Sequence, residues 1–300
     1  MERICEGRIV AVTGAGGGIG RAHAIACAAH GARVVVNDLG GARDGRGTDP
    51  GAAQKVVDEI VAAGHEAVAN TDDISAWSGA ERLVSQACAE FGGLDALVNN
   101  AGVIRDRLLV NMTEDEWDTV VRVHLRGTFA CARHAAAYWR GEAKAGRSRD
   151  ARIINTTSSS GLFGNVGQSN YGSAKAGIAS LTIIAAQELA RYGVTVNAVS
   201  PTALTRMTAD LPAVEAAASG GGLEPEDISP LVVWLASARS RAVSGRVFGV
   251  RGGRITVLEG WVNGPAAEIA GRWEPSDLDE AIPALVAEAA PNAGMDGSRT

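Results

Sequence analysis

Ile9-Val10-Ala11-Val12-Thr13-Gly14-Ala15-Gly16-Gly17-Gly18-Ile19-Gly20 opens the first regular unit of the chain. An unbroken apolar run such as Ile9 to Val12 fits a strand covered on both faces, because a half-exposed strand would alternate. The glycines read as a tight turn, and Gly20 to His30 as a helix ended by Gly31. Glycine lets backbone approach an anion closely, and the first turn of a helix offers N–H groups with no internal partner. Gly14, Gly18, Ile19 and Gly20 are therefore the expected cradle for the pyrophosphate of a dinucleotide. Glycines alone could also make an ordinary turn; the strand before and the helix after favour the cofactor.

The same alternation continues along the chain. Arg33–Asp38, Ala67–Asn70, Ala96–Asn99, Arg152–Asn155 and Val194–Val199 read as strands, with Val247–Val250 as the last. Gln54–Ala63, Ala80–Phe91, Glu114–Ala137 and Tyr171–Tyr192 read as helices between them. Short apolar strands alternating with helices predict an α/β fold: a doubly wound parallel sheet, the Rossmann fold, in a single domain. Residues 1–275 are expected to form that domain, and 276–300 a C-terminal helix (Asp277–Ala290) followed by a disordered end. The loops at 40–51, 141–150 and 216–226 are the expected variable ones.

Bulk properties remove several function classes. The chain has 300 residues, 46% of them hydrophobic, and a net charge of −6, which argues against nucleic acid or an anionic membrane as partner. No apolar stretch is long enough to span a bilayer, and Met1 to Glu6 leads into no signal-type apolar region. Cys5, Cys27, Cys88 and Cys131 are scattered, as expected of reduced thiols in a cytoplasmic protein, and no metal-ligand cluster is visible. Of 28 basic residues only Lys55, Lys144 and Lys175 are lysines, a bias that suits a GC-rich bacterial genome.

Strand ends carry the next signals. A carboxylate at Asp38 can accept hydrogen bonds from ribose hydroxyls and repel a 2′-phosphate, which favours NAD over NADP; a solvated loop aspartate is the alternative. Asp72 and Asp73 end the third strand, where one of them either contacts adenine or caps the next helix. Asn99-Asn100-Ala101-Gly102 ends the fourth, where the amides can brace neighbouring strands and Asn99, Ala101 and Gly102 can meet the cofactor.

Tyr171 and Lys175 lie one helical turn apart, so a phenol and an ammonium share a face. A free tyrosine titrates near pKa 10 and is a poor base at neutral pH; a nearby ammonium stabilises the phenolate. Hydride transfer to or from a carbonyl needs such a proton relay. A hydroxyl from Thr156-Thr157-Ser158-Ser159-Ser160 could hold the substrate oxygen. An incidental surface pair is the competing reading of Tyr171 and Lys175.

Gly14, Gly18 and Gly20, the Asn99–Gly102 motif, and the Ser158, Tyr171, Lys175 pattern together resemble the short-chain dehydrogenase/reductase family, from about Gly7 to Gly253. That resemblance selects Ser158 among the hydroxyls as the group on the substrate oxygen. It makes Tyr171 the proton-transfer group and Lys175 its tuner and a cofactor-ribose contact. It also implies cofactor contacts from Pro201, Ala203 and Thr205, although the family's usual Pro-Gly is here Pro201-Thr202.

A narrower likeness runs through Val35–Gly41, Arg105-Asp106-Arg107, Val123–Gly127 and Arg206-Met207-Thr208. These stretches look like the (3R)-hydroxyacyl-CoA dehydrogenase domain of peroxisomal multifunctional enzyme type 2. The likeness implies NAD-linked oxidation of a 3-hydroxyacyl-CoA or a hydroxysteroid, by a stand-alone relative. Ser298-Arg299-Thr300 is not the usual peroxisomal address. His124 stands where many family members have Asn, and either serves the relay or packs in its helix.

Residues 205–222 are expected to form a substrate flap, with Leu162, Phe163, Met207 and Leu211 as an apolar wall. Arg105, Arg107 and Arg206 are candidates for the CoA end, against a reading as plain surface arginines. The resemblance also implies a homodimer or homotetramer, with the helices at 114–137 and 171–192 as one face. An NADPH-driven acyl-carrier-protein or quinone reductase is the rival enzyme, and a non-catalytic NAD-binding sensor the rival of another class.

Overall fold

Every residue of Ile9–Thr13 is buried, as a strand covered on both faces requires. In the computed structural model, which describes residues 2–203 and 223–299, this strand is β1. The others are β2 (Arg33–Asn37), β3 (Ala67–Asn70), β4 (Ala96–Asn99), β5 (Ala151–Thr156), β6 (Val194–Thr202), β7 (Val247–Arg251) and β8 (Arg254–Leu258). They form one sheet in the order β3-β2-β1-β4-β5-β6-β7-β8. All neighbours are parallel except β7 and β8. The chain reverses direction across the sheet between β1 and β4, the crevice where doubly wound folds bind ligands.

Among the described residues the helices are α1 (Gly18–Ala29), α2 (Gly51–Ala62), α3 (Trp77–Phe91), α4 (Glu114–Val121), α5 (Gly127–Lys144), α6 (Ser159–Phe163), α7 (Ser169–Leu189), α8 (Ser229–Ala236) and α9 (Leu278–Glu288). Alternate strand residues feed opposite cores, as the two-residue period of a strand dictates. Val10, Val12, Val34 and Val36 pack with Cys27, Ile60, Val232 and Leu235 on one face. Ile9, Ala11, Val35 and Leu97 pack with Leu83, Ala130 and Trp139 on the other. The four cysteines are free. No helix among the described residues is long and apolar enough to cross a membrane.

Several expectations need correction. Val247–Arg251 is not the last strand: Gly252, at φ +52°, and Gly253 turn the chain into β8, which pairs antiparallel with β7. Gly252-Gly253 is the two-residue glycine link of a β-hairpin, so the chain turns back on the edge of the sheet. The helix from Glu114 runs on to Lys144, taking the start of the expected 141–150 loop, and passes through a wide π turn at Arg122–Arg126. The 40–51 loop is hydrogen-bonded, with Ala42 N–H on Arg46 O at 2.8 Å and Ile104 N–H on Arg43 O at 3.0 Å. At the C-terminal end, expected to be disordered, residues 294–298 form a turn. The flap assignment, Thr205, Arg206, Met207 and Leu211 lie outside the described residues.

Candidate active site

Gly14 and Gly18 adopt φ +65° and +52°, the left-handed region that glycine enters without a Cβ penalty. A Cβ at Gly20 would stand 2.2 Å from the Gly14 carbonyl oxygen, and one at Gly14 2.6 Å from Ala101 Cα. A side chain at Gly17 would instead meet open space. α1 starts there with no side-chain cap and no acidic residue in its first turn, so its N–H groups and dipole remain available to an anion. The cradle fits a dinucleotide pyrophosphate.

Asn100 and Thr13 fix this turn, and the sequence reading named neither as a site residue. Asn100 Nδ2 donates to Thr13 O at 3.1 Å and Gly14 O at 3.2 Å, and Thr13 Oγ1 accepts from Asn100 and Ala101 N–H at 3.0 and 3.1 Å. Asn99 instead braces β4 to β5, donating to Asn155 Oδ1 at 2.9 Å, while its own Oδ1 is buried without a partner. Asp38 follows β2 and accepts from Gly16 N–H and Gly40 N–H, both at 2.7 Å, which pins its carboxylate beside the glycine turn. Asp72 holds Arg82 at 2.7 Å, and Asp73 accepts from Ser75 N–H at 2.8 Å in the turn before α3. Both carboxylates thus build the β3–α3 turn, and Ala76, not Asp73, is the N-cap. Pro201 is the penultimate residue of β6, and Ala203 is buried just after the strand.

Ser158 follows β5 and caps α6, its Oγ accepting from Ser160 N–H at 3.2 Å. Tyr171 lies in the first turn of α7, with Ser158 near enough to its phenol to favour the ionised form. This needs close packing of α6 on α7, and glycine supplies it: a Cβ at Gly161 would stand 2.7 Å from Lys175 Cβ. Lys175 is 3% exposed, donates from Nζ to Thr156 O at 2.6 Å, and lies 5.5 Å from the Tyr171 ring centre. Thr157 Oγ1 closes the link by donating to Lys175 O at 2.7 Å. Ser158, Tyr171 and Lys175 are therefore together at the C-terminal end of the central strands.

The electrostatics differ from the sequence expectation. Burial raises the Tyr171 phenol above its ordinary range, the Ser158 hydrogen bond opposes this, and the Asp106 charge adds to it. Burial pulls the Lys175 amine down to about 7, so its charge is set near neutral pH. His124 is 1% exposed inside the π turn, and burial, with the charge of Lys175, holds it near 3 and therefore neutral. Its Nε2 lies 2.9 Å from Val103 N and 2.8 Å from Val103 O, and its ring meets Tyr171 edge-on at 5.1 Å. Gly102 makes room for it: a Cβ there would stand 2.3 Å from His124 Cε1. The His124 Nδ1 is buried without a hydrogen-bond partner.

Asn170, absent from the sequence reading as a site residue, is fully buried. It donates to Arg105 O at 2.9 Å and Glu116 O at 3.1 Å, anchoring the start of α7. Gln168 donates to Asp106 Oδ2 at 2.8 Å beside it. The only signal for either was a polar side chain next to the tyrosine. Arg105 bonds Asp44 O at 2.7 Å and Asp115 at 2.5 Å, and its side chain is 12% exposed, so it serves as a brace between loops. Arg107 pairs with Glu116 at 3.1 Å and is more exposed.

Comparison with known proteins points to one family. Residues 8–216 match the family model described as short chain dehydrogenase. The chain is 48% identical over 263 residues to hydroxyacyl-CoA dehydrogenase ChsB1 of Mycobacterium tuberculosis, covering 84% of this chain and 80% of that protein. It is 42% identical over 260 residues to peroxisomal multifunctional enzyme type 2 of Mus musculus, covering 86% of this chain but only 32% of the larger enzyme. A crystal structure of a short chain dehydrogenase from Mycobacterium avium superposes with a TM-score of 0.88 at 53% identity, covering 97% of this chain and 98% of that one. With the motifs assembled at one crevice, the chain belongs to the short-chain dehydrogenase/reductase family and is an oxidoreductase acting on CH–OH groups.

Proposed function

We propose that the protein interconverts a secondary alcohol and a ketone with NAD, on a 3-hydroxyacyl-CoA or a hydroxysteroid. The observation that carries the chemistry is Tyr171 with Lys175 Nζ 5.5 Å from its ring, one turn on along α7, and Ser158 beside its phenol, near the uncapped start of α1. A nicotinamide cofactor, when bound, supplies or takes the hydride. Gly14, Gly18, Ile19, Gly20, Asn99, Ala101 and Gly102 line its cradle, with Asp38 toward the ribose. Ser158 orients the substrate oxygen, Tyr171 moves the proton at that oxygen, and Lys175, in the protonated form it takes up near pH 7 and below, favours the phenolate. Asp38 supports NAD over NADP, since its fixed carboxylate repels a 2′-phosphate.

The likeness to hydroxyacyl-CoA dehydrogenase ChsB1 of Mycobacterium tuberculosis supports the acyl-CoA substrate class. A dimer or tetramer fits the exposed Phe129, Ile183 and Ile184 on α5 and α7, the faces that the sequence reading assigned to assembly. The test follows NADH absorbance with 3-hydroxyacyl-CoA and hydroxysteroid panels, with NAD and NADP in parallel. Turnover of neither panel rejects the substrate class, and a tenfold or greater preference for NADP, about 1.4 kcal/mol, rejects the cofactor assignment.

A further inference from the structure

β8 and everything after it lie beyond the stretch matched by the family model, yet this segment shares a core with the helix that Ser158 caps and returns to its end. Leu258 of β8 and Leu162 of α6 each pack against the small core of Ala179, Ala198 and Val247. The chain then crosses the surface: Trp261 is 98% exposed, and α9 has no buried residue. It ends in a closed turn. Gly294 N–H donates to Ser298 O at 2.9 Å and Gly297 N–H to Gly294 O at 2.8 Å. Asp296 Oδ1 accepts from Ser298 N–H at 2.9 Å and from Ser298 Oγ at 2.7 Å.

This turn rests on Phe163, the last residue of α6. A Cβ at Gly297 would stand 3.4 Å from Phe163 Cζ and 3.6 Å from Cε2. Gly297 adopts φ +80°, so the contact needs backbone that other residues rarely adopt, brought flat against an aromatic edge. Chain ends with no anchor stay in solvent. Here the internal hydrogen bonds preform the turn, which lowers the entropy lost on docking. Phe163 is half-buried, so it is not enclosed by the rest of the protein.

We propose that the turn at Gly294–Ser298 is a specificity wall of the substrate pocket, holding the Phe163 ring against the apolar part of an acyl or ring substrate. This rests on the dehydrogenase reading above, with Ser158 at the reacting oxygen. The turn touches neither the glycine cradle nor Tyr171; it acts through Phe163, whose position sets how far an apolar group extends past Ser158.

The test uses the full chain, a chain ending at Pro291, Phe163→Ala, and the combination. Each is assayed for kcat and KM across 3-hydroxyacyl-CoA substrates of increasing chain length, with NADH affinity read by fluorescence. Truncation is expected to change the long-to-short ratio of kcat/KM at least about fivefold, a pocket-sized effect, while NADH affinity stays within about twofold. Phe163→Ala should shift the same ratio, and the combination should add little, because coupled residues are non-additive. An unchanged ratio after truncation, or fully multiplicative effects, overturns the proposal. Should the truncated chain fail to fold, Gly297→Leu displaces the ring in the full chain and gives the same two outcomes. Turnover of no substrate by the full chain rejects the dehydrogenase reading, and this inference with it; turnover with an unmoved ratio rejects the inference alone.

Discussion

Lys175 Nζ donates to the Thr156 carbonyl over 2.6 Å, tying the second turn of α7 to the end of β5. The amine is held in a buried place where its ammonium form costs free energy, which is why it titrates near 7. The same cost makes it a sensitive partner for the phenol above it.

That cost has a sign in stability. Between about pH 7 and 8.5 the unfolded chain keeps the lysine proton and the native state does not, so native stability rises with pH over this window. Above it, burial of Cys5 and Cys131, whose thiols are pushed up to about 11 and about 12, works in the opposite direction. Lys175→Met should flatten the rise, an effect on the order of 2 kcal/mol. Urea midpoints at pH 7.0, 7.75 and 8.5 check this; equal slopes for both proteins would contradict it.

Acid should act through buried histidine. His23 is fully buried, lies 2.9 Å from Ser229 Oγ, and is pushed down to about 3; His124 is similar. Below about pH 6.5 the unfolded chain takes up protons that the native histidines refuse, so stability falls as pH drops toward about 3. His23→Gln should gain on wild type steadily from pH 6.5 to 4.5. Chemical denaturation at four pH values shows whether the gap widens.

Tyr171→Phe keeps the ring packed on His124 and removes the acidic proton. Turnover should fall by about 10³-fold, within the range for general acid–base groups, while dinucleotide affinity changes little. Retained turnover with normal binding would assign proton transfer elsewhere.

Asp38→Ser removes the carboxylate that Gly16 and Gly40 N–H groups hold. NAD affinity should drop and discrimination against NADP should narrow by about tenfold or more, because the repulsive element is gone. Titration of both dinucleotides against each protein gives the ratio.

Asn100→Ala strips two donated hydrogen bonds from the glycine turn. About 1–3 kcal/mol of stability should be lost, together with dinucleotide affinity. A melting curve beside a binding curve separates this from Asn99→Ala, which loosens β4 from β5 instead.

Much of this protein was fixed by local pattern. Apolar runs such as Ile9–Val12 bury on both faces whatever surrounds them, and a glycine turn between strand and helix carries its own backbone geometry. The four-residue step from Tyr171 to Lys175 likewise follows from helix geometry alone. Tertiary packing decided what depends on distant neighbours. The pairing of β8, the Asn100 brace, the Gly161 contact that seats Ser158 under Tyr171, and the return of Gly297 to Phe163 all join residues far apart in the chain. So did the charge balance of the site: burial, which no local pattern encodes, raised the phenol and lowered the amine.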